Sequence, residues 1–103
     1  PDAAMNHDLS LLRSEIDQID RQIVELVAKR FGVIERVAAV KAAHQIPARI
    51  QSRIDTVIQR REAAGRGLGL PRRTAANIWK AIVEEACKYE EDSIERCDPM
   101  TAD

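Results

Sequence analysis

Aromatic residues, cysteine, glycine and proline are all scarce in this chain of 103 residues. Phe31, Trp79 and Tyr89 are its only aromatic residues, and Cys87 and Cys97 are its only cysteines. Two cysteines at this spacing match no metal motif, so we expect two free thiols and no metal site. We also expect no cofactor. No apolar run approaches the ~20 residues of a membrane-spanning helix, and no secretory signal is recognisable. We therefore expect a cytoplasmic protein without a membrane partner.

An excess of charge of either sign is also missing, since the formal net charge is -1. That balance excludes a general nucleic-acid-binding protein, which would be markedly basic. The charges are nevertheless unevenly placed, because residues 49–73 contain seven arginines and residues 84–95 are mostly acidic. We interpret the acidic stretch as a solvated helix face. The abundant Ala, Leu, Ile, Glu, Lys and Arg are good helix formers, so the composition predicts an all-α fold.

A periodic stripe of apolar residues predicts a long first helix. Its members recur every three or four positions: Leu9, Leu12, Ile16, Ile19, Ile23 and Leu26. We expect Asn6 or Asp8 to cap this helix and the helix to end near His44, because Pro47 disfavours helix just before it. About 35 residues would reach ~50 Å, longer than a globule of this size. The helix therefore needs a second chain or several shorter helices to cover it.

Two shorter helices are predicted to follow, over residues 49–64 and 71–94. Gly65 is placed to cap the second helix, and Pro71 suits the first turn of the third. The predicted organisation is a single three-helix domain over residues 9–95. Residues 1–8 are expected to be either a disordered N-terminus or a remnant foreign to the natural chain, and residues 96–103 a flexible tail.

Charged residues interrupt the apolar stripe of the first helix. Arg30 and Lys41 are 11 positions apart, close to three turns, and Val37 lies between them on the same face. Two long cationic side chains ~16 Å apart along a helix can converge on one small anion. The alternative is that both reach solvent or pair with carboxylates.

The third predicted helix carries one carboxyl group on an apolar face. Glu90 follows Trp79, Val83 and Cys87 at spacings of four, four and three. Such surroundings favour the protonated acid, which can donate a hydrogen bond. The alternative is an ordinary glutamate at the end of an acidic helix. Because no nucleophile–base pair is recognisable, any catalysis must depend on electrostatics and positioning.

Several short blocks occur in a defined order along the chain. They are LRSEIDQID at 12–20, VAKR at 27–30, VK at 40–41, Pro47 with Arg53, and IVEE at 82–85 followed by Glu90. In this order and spacing they resemble the all-α (type II) chorismate mutase family over residues 9–95. The resemblance implies three-helix protomers in an intertwined homodimer with two equivalent active sites. It also implies a place in aromatic amino acid biosynthesis.

The resemblance assigns roles to individual residues. Arg30, Lys41 and Arg53 would serve one site, Arg13 would reach in from the partner chain, and Glu90 would occupy the last key position. The remaining substrate-binding positions would be Val37, Ile50, Ile54 and Ala86. Arginines suit the two carboxylates of chorismate because their guanidinium binds in a bidentate way. Arg13 and Arg30 would hold these carboxylates, while Lys41 and protonated Glu90 would face the ether oxygen.

Other members of this fold fit parts of the sequence. Many mutases have acidic residues where this chain has Ile50 and Ile54, and the segment Ile46-Pro47-Ala48 resembles isochorismate-pyruvate lyases. A 4-amino-4-deoxychorismate mutase and a non-catalytic helical dimerisation module are further alternatives. In the module, Arg30 and Lys41 would only pair with carboxylates. Chorismate mutase is the favoured prediction, because the glutamates of the last helix are more typical of a mutase than of a lyase.

Overall fold

Three α-helices make up the computed structural model, which describes the backbone of residues 2–97 and the side chains of residues 3–95. They are α1 (Asp2–Ala43), α2 (Gln51–Gly67) and α3 (Thr74–Cys97), and the described residues include no strand. The predicted all-α fold with one long and two shorter helices is confirmed. Beyond residue 97, the predicted flexible tail lies outside the described residues. No helix among those described is long and apolar enough to span a membrane.

The chain divides into two compact units, one ending at Val33 and one beginning at Ile34. The first unit is formed by the N-terminal part of α1. Its apolar stripe is half exposed to solvent, from 43% at Leu9 to 62% at Leu26. The second unit contains the last turns of α1 together with α2 and α3.

α1 begins at Asp2, upstream of both predicted caps, so the predicted start at Asn6 or Asp8 is wrong. Residues 2–8 are helical although the apolar stripe begins only at Leu9. Ala3 and Ala4 favour helix in this stretch without contributing to any stripe, so periodicity does not reveal it. The 42 residues of α1 correspond to a helix of about 63 Å.

The end of α1 lies one residue before the predicted His44. Here Gln45 has a positive φ of 57°, and the amide of Ile46 donates to the Lys41 carbonyl at 2.8 Å. The amide of Gln45 donates to the Ala42 carbonyl at 3.4 Å. This pair of hydrogen bonds is the Schellman pattern, which satisfies the last carbonyls of a helix and turns the chain away from its axis.

α2 begins two residues later and ends three residues later than predicted, and Gly65 does not cap it. Gly65 is buried inside the helix, where an added Cβ would lie 2.7 Å from the Ala75 Cβ. The C-cap residue is Leu68, and Gly69 follows it in a left-handed conformation with a φ of 89°. The amide of Leu70 donates to the Gly65 carbonyl at 2.9 Å. Gly65 therefore serves the close approach of α2 and α3, and Gly69 serves the turn.

α3 begins at Thr74 rather than at Pro71 and continues to Cys97 rather than to residue 94. Arg73 has a φ of 72°, a left-handed conformation that interrupts any helix running on from Pro71. The amide of Arg73 donates to Glu62 Oε2 at 2.7 Å, which ties this turn to α2.

The core of the second unit lies between α2 and α3. Val57, Val83 and Cys87 are buried there, with Ile54 and Trp79 packed against them. Ala75, Ala76 and Ala86 on α3 are also buried. Small residues allow the two helix backbones to approach closely, as they do at Gly65.

Candidate functional site

Lys41 and Glu90, both predicted as site residues, form an ion pair in the second unit. The Lys41 Nζ lies 2.7 Å from Glu90 Oε1, and the two side chains are 16% and 6% exposed. The same ammonium donates a hydrogen bond to the Ala48 carbonyl at 2.7 Å. The site therefore joins the end of α1, the connection to α2 and the C-terminal half of α3.

The local structure explains how these three groups meet. Lys41 lies in the last turn of α1, and the Schellman turn at Gln45 redirects the chain so that Ala48 returns to the Lys41 side chain. Glu90 lies one turn after buried Ala86 on α3, so both occupy the same buried face.

The Lys41 ammonium retains hydrogen-bonding capacity. It has three N–H donors, and its contacts with the described residues are one carbonyl and one carboxylate oxygen. The Glu90 Oε1 atom is close enough for the ion pair but makes no well-aligned hydrogen bond within the described residues. At least one Lys41 N–H is thus available for a further acceptor.

A second cluster of charges lies beside this site and was not predicted. Arg49 donates to both carboxylate oxygens of Glu84, at 2.7 and 2.8 Å, and its Nε donates to Glu91 at 3.1 Å. The three side chains are 41%, 46% and 48% exposed. The hydrogen bond from Arg49 lowers the pKa of Glu84, and the same contact raises the pKa of Arg49. The acidic stretch of α3 is thus not only a solvated face, because two of its glutamates hold Arg49.

Three further predicted positions lie in the first turn of α2 or directly before it. Ile50 is the residue before the helix and provides no side-chain cap, and its carbonyl accepts from the Arg53 amide at 3.0 Å. The Arg53 side chain is exposed and has no ion pair or hydrogen bond within the described part of the chain. Ile54 packs against the core. Val37, one turn before Lys41 on α1, is partly buried.

The remaining predicted residues, Arg13 and Arg30, lie in the first unit. Arg13 is exposed. Arg30 is partly buried, and its Nη1 atom is buried without a hydrogen-bond partner among the residues described. A buried guanidinium nitrogen without a partner is costly, so it points to an acceptor beyond those that the described residues supply. Their grouping with Lys41 in one site stays a prediction.

Cys87 lies in the core and not in the candidate site. Burial raises the pKa of its thiol, which makes it a poor nucleophile. The Cys97 side chain lies outside the described residues. No group of three or more metal-ligating side chains occurs in the part of the chain that the structure describes.

Comparison with known proteins identifies relatives of the chain. The family model of chorismate mutase type II matches residues 12–91. The 4-amino-4-deoxychorismate mutase of Streptomyces venezuelae is 27% identical over 85 residues, covering 82% of each chain. The T-protein of Enterobacter agglomerans is 26% identical over 82% of this chain, which spans only 23% of that protein.

A bifunctional chorismate mutase/prephenate dehydratase of Buchnera aphidicola is 30% identical over 78% of this chain, which again spans a small part, 21%, of the relative. No solved structure matches the chain. The family match covers most of the chain and includes every predicted site residue from Arg13 to Glu90. The chain therefore belongs to the chorismate mutase type II family, which supports its assignment as an isomerase.

Proposed function

We propose that this protein is a chorismate mutase that converts chorismate to prephenate. The observation that carries the proposal is the Lys41 ammonium, which has a donor left for one more acceptor beyond Glu90 and Ala48. The ion pair alone would fit the non-catalytic alternative equally well, because that alternative also pairs Lys41 with a carboxylate. Family membership supports a reaction of this type. The arrangement suits a reaction that needs no covalent intermediate, because the site supplies a fixed positive charge and hydrogen-bond donors.

The rearrangement is one pericyclic step in which an ether C–O bond breaks as a C–C bond forms within the same molecule. Negative charge develops on the ether oxygen as the C–O bond breaks. A Lys41 N–H directed at that oxygen stabilises the transition state more than the ground state, which is the requirement for acceleration. Glu90 contributes a second hydrogen bond to the oxygen only as the protonated acid, since an ionised carboxylate cannot donate.

Carboxylate binding completes the proposal. We assign Arg13 and Arg30 to the two carboxylates, as the family resemblance implies, with Arg53 contributing at the start of α2. The unpartnered Nη1 atom of Arg30 supports its assignment, because a substrate carboxylate would supply the missing acceptor. Arginine binds carboxylates in a bidentate way that also restricts the substrate to its folded conformer.

The proposed active unit is a homodimer in which Arg13 is contributed by the partner chain. The exposed apolar stripe of the first unit supports this arrangement. Its large side chains are about half exposed at heptad-like spacing, from Leu9 through Leu26, as expected for a face that packs against a second copy.

A second candidate is a mutase for 4-amino-4-deoxychorismate. The Streptomyces venezuelae relative carries that name, and it matches over most of its own length. The hydrophobic side chains at Ile50 and Ile54 do not discriminate between the two substrates, because neither can accept a hydrogen bond from a ring hydroxyl or from an amino group. An isochorismate-pyruvate lyase is a third candidate, supported by the Ile46-Pro47-Ala48 segment.

A side-by-side assay decides among these candidates. The protein is incubated separately with chorismate, isochorismate and 4-amino-4-deoxychorismate, and the products are identified by mass spectrometry. We expect prephenate from chorismate at the highest kcat/KM, with salicylate and pyruvate absent from the isochorismate reaction. The Lys41→Ala variant should lose turnover, whereas Lys80→Ala, which removes an exposed lysine on α3, should keep it.

The outcomes separate the alternatives clearly. Preferential turnover of the amino compound or release of salicylate would replace the proposed substrate but keep the site. If none of the three acids is turned over and none shifts the thermal unfolding midpoint, the chain is a non-catalytic module.

A further inference from the structure

We propose that Arg49 is a positioning residue for Lys41, acting through the Ala48 carbonyl. This inference rests on the proposed function, in which Lys41 stabilises the ether oxygen. Within the described residues, the Arg49 side chain forms its hydrogen bonds and ion pairs with Glu84 and Glu91 and not with Lys41 or Glu90. Its effect is transmitted along the backbone to the neighbouring residue.

Two adjacent residues of the connection between α1 and α2, Ala48 and Arg49, are bound by α1 and by α3 respectively. The Ala48 carbonyl accepts from Lys41 at 2.7 Å. At the next residue, the Arg49 guanidinium binds Glu84 with two hydrogen bonds and Glu91 with a third. Glu84 and Glu91 are seven positions apart on α3, so they lie on one face two turns apart, and Arg49 spans them.

Lys41 depends on this connection for its direction. A lysine ammonium is a point charge on a flexible four-carbon stem and lacks the directional rigidity of a guanidinium. An ion pair with Glu90 Oε1 on α3 and a hydrogen bond to the Ala48 carbonyl on the connection hold it here. If Arg49 were released, the carbonyl would no longer be fixed relative to α3. The position of the ammonium would then depend on Glu90 alone, and its remaining N–H would no longer have a fixed direction.

A role in stability does not explain the Arg49 cluster well. Its three side chains are each more than 40% exposed, and exposed ion pairs stabilise proteins only weakly. The bidentate contact with Glu84 gives a defined orientation, which is what arginine provides and lysine does not. The contact is therefore suited to fixing geometry.

The test compares Arg49→Ala, Arg49→Lys and Glu84→Gln with Arg60→Ala, which removes an exposed arginine elsewhere on α2. We expect kcat to fall about tenfold in Arg49→Ala, with a smaller change in KM, because misplacing a positioned group costs transition-state stabilisation. Arg49→Lys should recover only part of the loss. Arg60→Ala should keep the parent values, and all four should keep the parent unfolding midpoint within a few degrees.

Glu84→Gln separates positioning from net charge. Arg49→Ala makes the protein more negative and Glu84→Gln makes it less negative, so a general effect on an anionic substrate would have opposite signs. Positioning predicts a lower kcat in both, because each variant breaks the bidentate contact. If KM alone rises in Arg49→Ala while kcat is kept, Arg49 is a substrate-binding residue and the inference is overturned.

A readout without turnover keeps this inference distinct from the proposed function. The ¹H–¹⁵N signal of the Lys41 ammonium, assigned with Lys41→Arg, reports its hydrogen bonds directly. We expect it to broaden or shift in Arg49→Ala and to remain in Arg60→Ala. An unchanged signal together with an unchanged kcat would overturn the positioning role while leaving the mutase proposal intact. If the protein turns over no substrate but the Lys41 signal changes in Arg49→Ala, the mutase proposal is overturned. The contact of Arg49 with the Lys41 environment then stands.

Discussion

Lys41 Nζ lies 2.7 Å from Glu90 Oε1, and both side chains are largely buried. Removing one member of such a pair leaves the other buried without its partner, which is more costly than removing both. We expect Lys41→Ala to lower the free energy of unfolding by about 3 kcal/mol. The double variant Lys41→Ala/Glu90→Gln should recover much of that loss but none of the turnover. Urea unfolding at equal protein concentration measures the free energy of unfolding of each variant, and the substrate assay measures its turnover.

The matched control for this prediction is Lys80→Ala, because Lys80 is exposed on α3. Its unfolding free energy should change by less than about 0.5 kcal/mol. Equal losses in the Lys41 single and double variants would show that the pair does not account for the stability of this region.

Replacement of the Glu90 carboxyl by an amide tests its role as a donor. Hydrogen-bond donation from Glu90 requires the acid, whereas the ion pair with Lys41 requires the carboxylate. The amide of Glu90→Gln can donate but carries no charge, so we expect this variant to keep turnover and Glu90→Ala to lose it. Glu85→Gln, on the exposed side of α3, should keep the wild-type kcat. A Glu90→Gln variant without turnover would remove Glu90 as a donor.

The titration of Glu84 tests the Arg49 cluster. The hydrogen bond from Arg49 lowers the pKa of Glu84 in the folded protein. The pair therefore contributes stability above the pKa of the unfolded chain, and that contribution is lost as pH falls through the lowered folded value. We expect the NMR titration midpoint of the Glu84 side-chain carboxyl to rise in Arg49→Ala and to stay unchanged in Arg60→Ala. A midpoint that is the same in all three proteins would contradict the contact.

The buried Gly65 of α2 allows a prediction about the packing of α2 against α3. A Cβ at Gly65 would lie 2.7 Å from the Ala75 Cβ and 3.1 Å from Leu70 Cδ1. Since Ala75 has no flexible side chain to move aside, the helices would have to separate. We expect Gly65→Ala to destabilise the protein by about 1–3 kcal/mol in spite of the better helix propensity of alanine. Gly67→Ala meets nothing within 4 Å and should be neutral or stabilising. Thermal unfolding midpoints of both variants measure this difference in stability. Equal midpoints for the two variants would exclude a packing role for Gly65.

Helix faces were predictable from the sequence, because periodicity depends on local spacing alone. The stripe from Leu9 to Leu26 predicted the long helix, and the spacing before Glu90 predicted its buried face on α3. The glycines show the limit of such arguments. Gly65 and Gly69 are equally good caps by composition, and only the approach of Ala75 decides which one is buried in the helix.

The Arg49 cluster was not predictable for a similar reason. Arg49 is 35 and 42 positions from its two partners, and an arginine-rich segment offers several candidates for each glutamate. Which arginine contacts α3 depends on the turn after α1. This turn requires a left-handed conformation at Gln45, and a glutamine does not predict such a conformation from its residue type. The family resemblance, in contrast, suggested that Lys41 and Glu90 share one site. It did not predict the ion pair between them, because it assigned Glu90 as a protonated donor.

The exposed stripe of α1 makes the last prediction, which concerns the proposed homodimer. Ile16 is 55% exposed in the single chain, in the middle of the stripe. If a second copy covers it, Ile16→Glu would bury a charge without a partner, which is strongly unfavourable. We expect this variant to sediment as a monomer or to unfold at a lower temperature, and to lose turnover. Gln18→Glu introduces the same charge two positions away and should keep the dimer. A wild-type protein that sediments as a monomer at micromolar concentration would contradict the contribution of Arg13 from a partner chain.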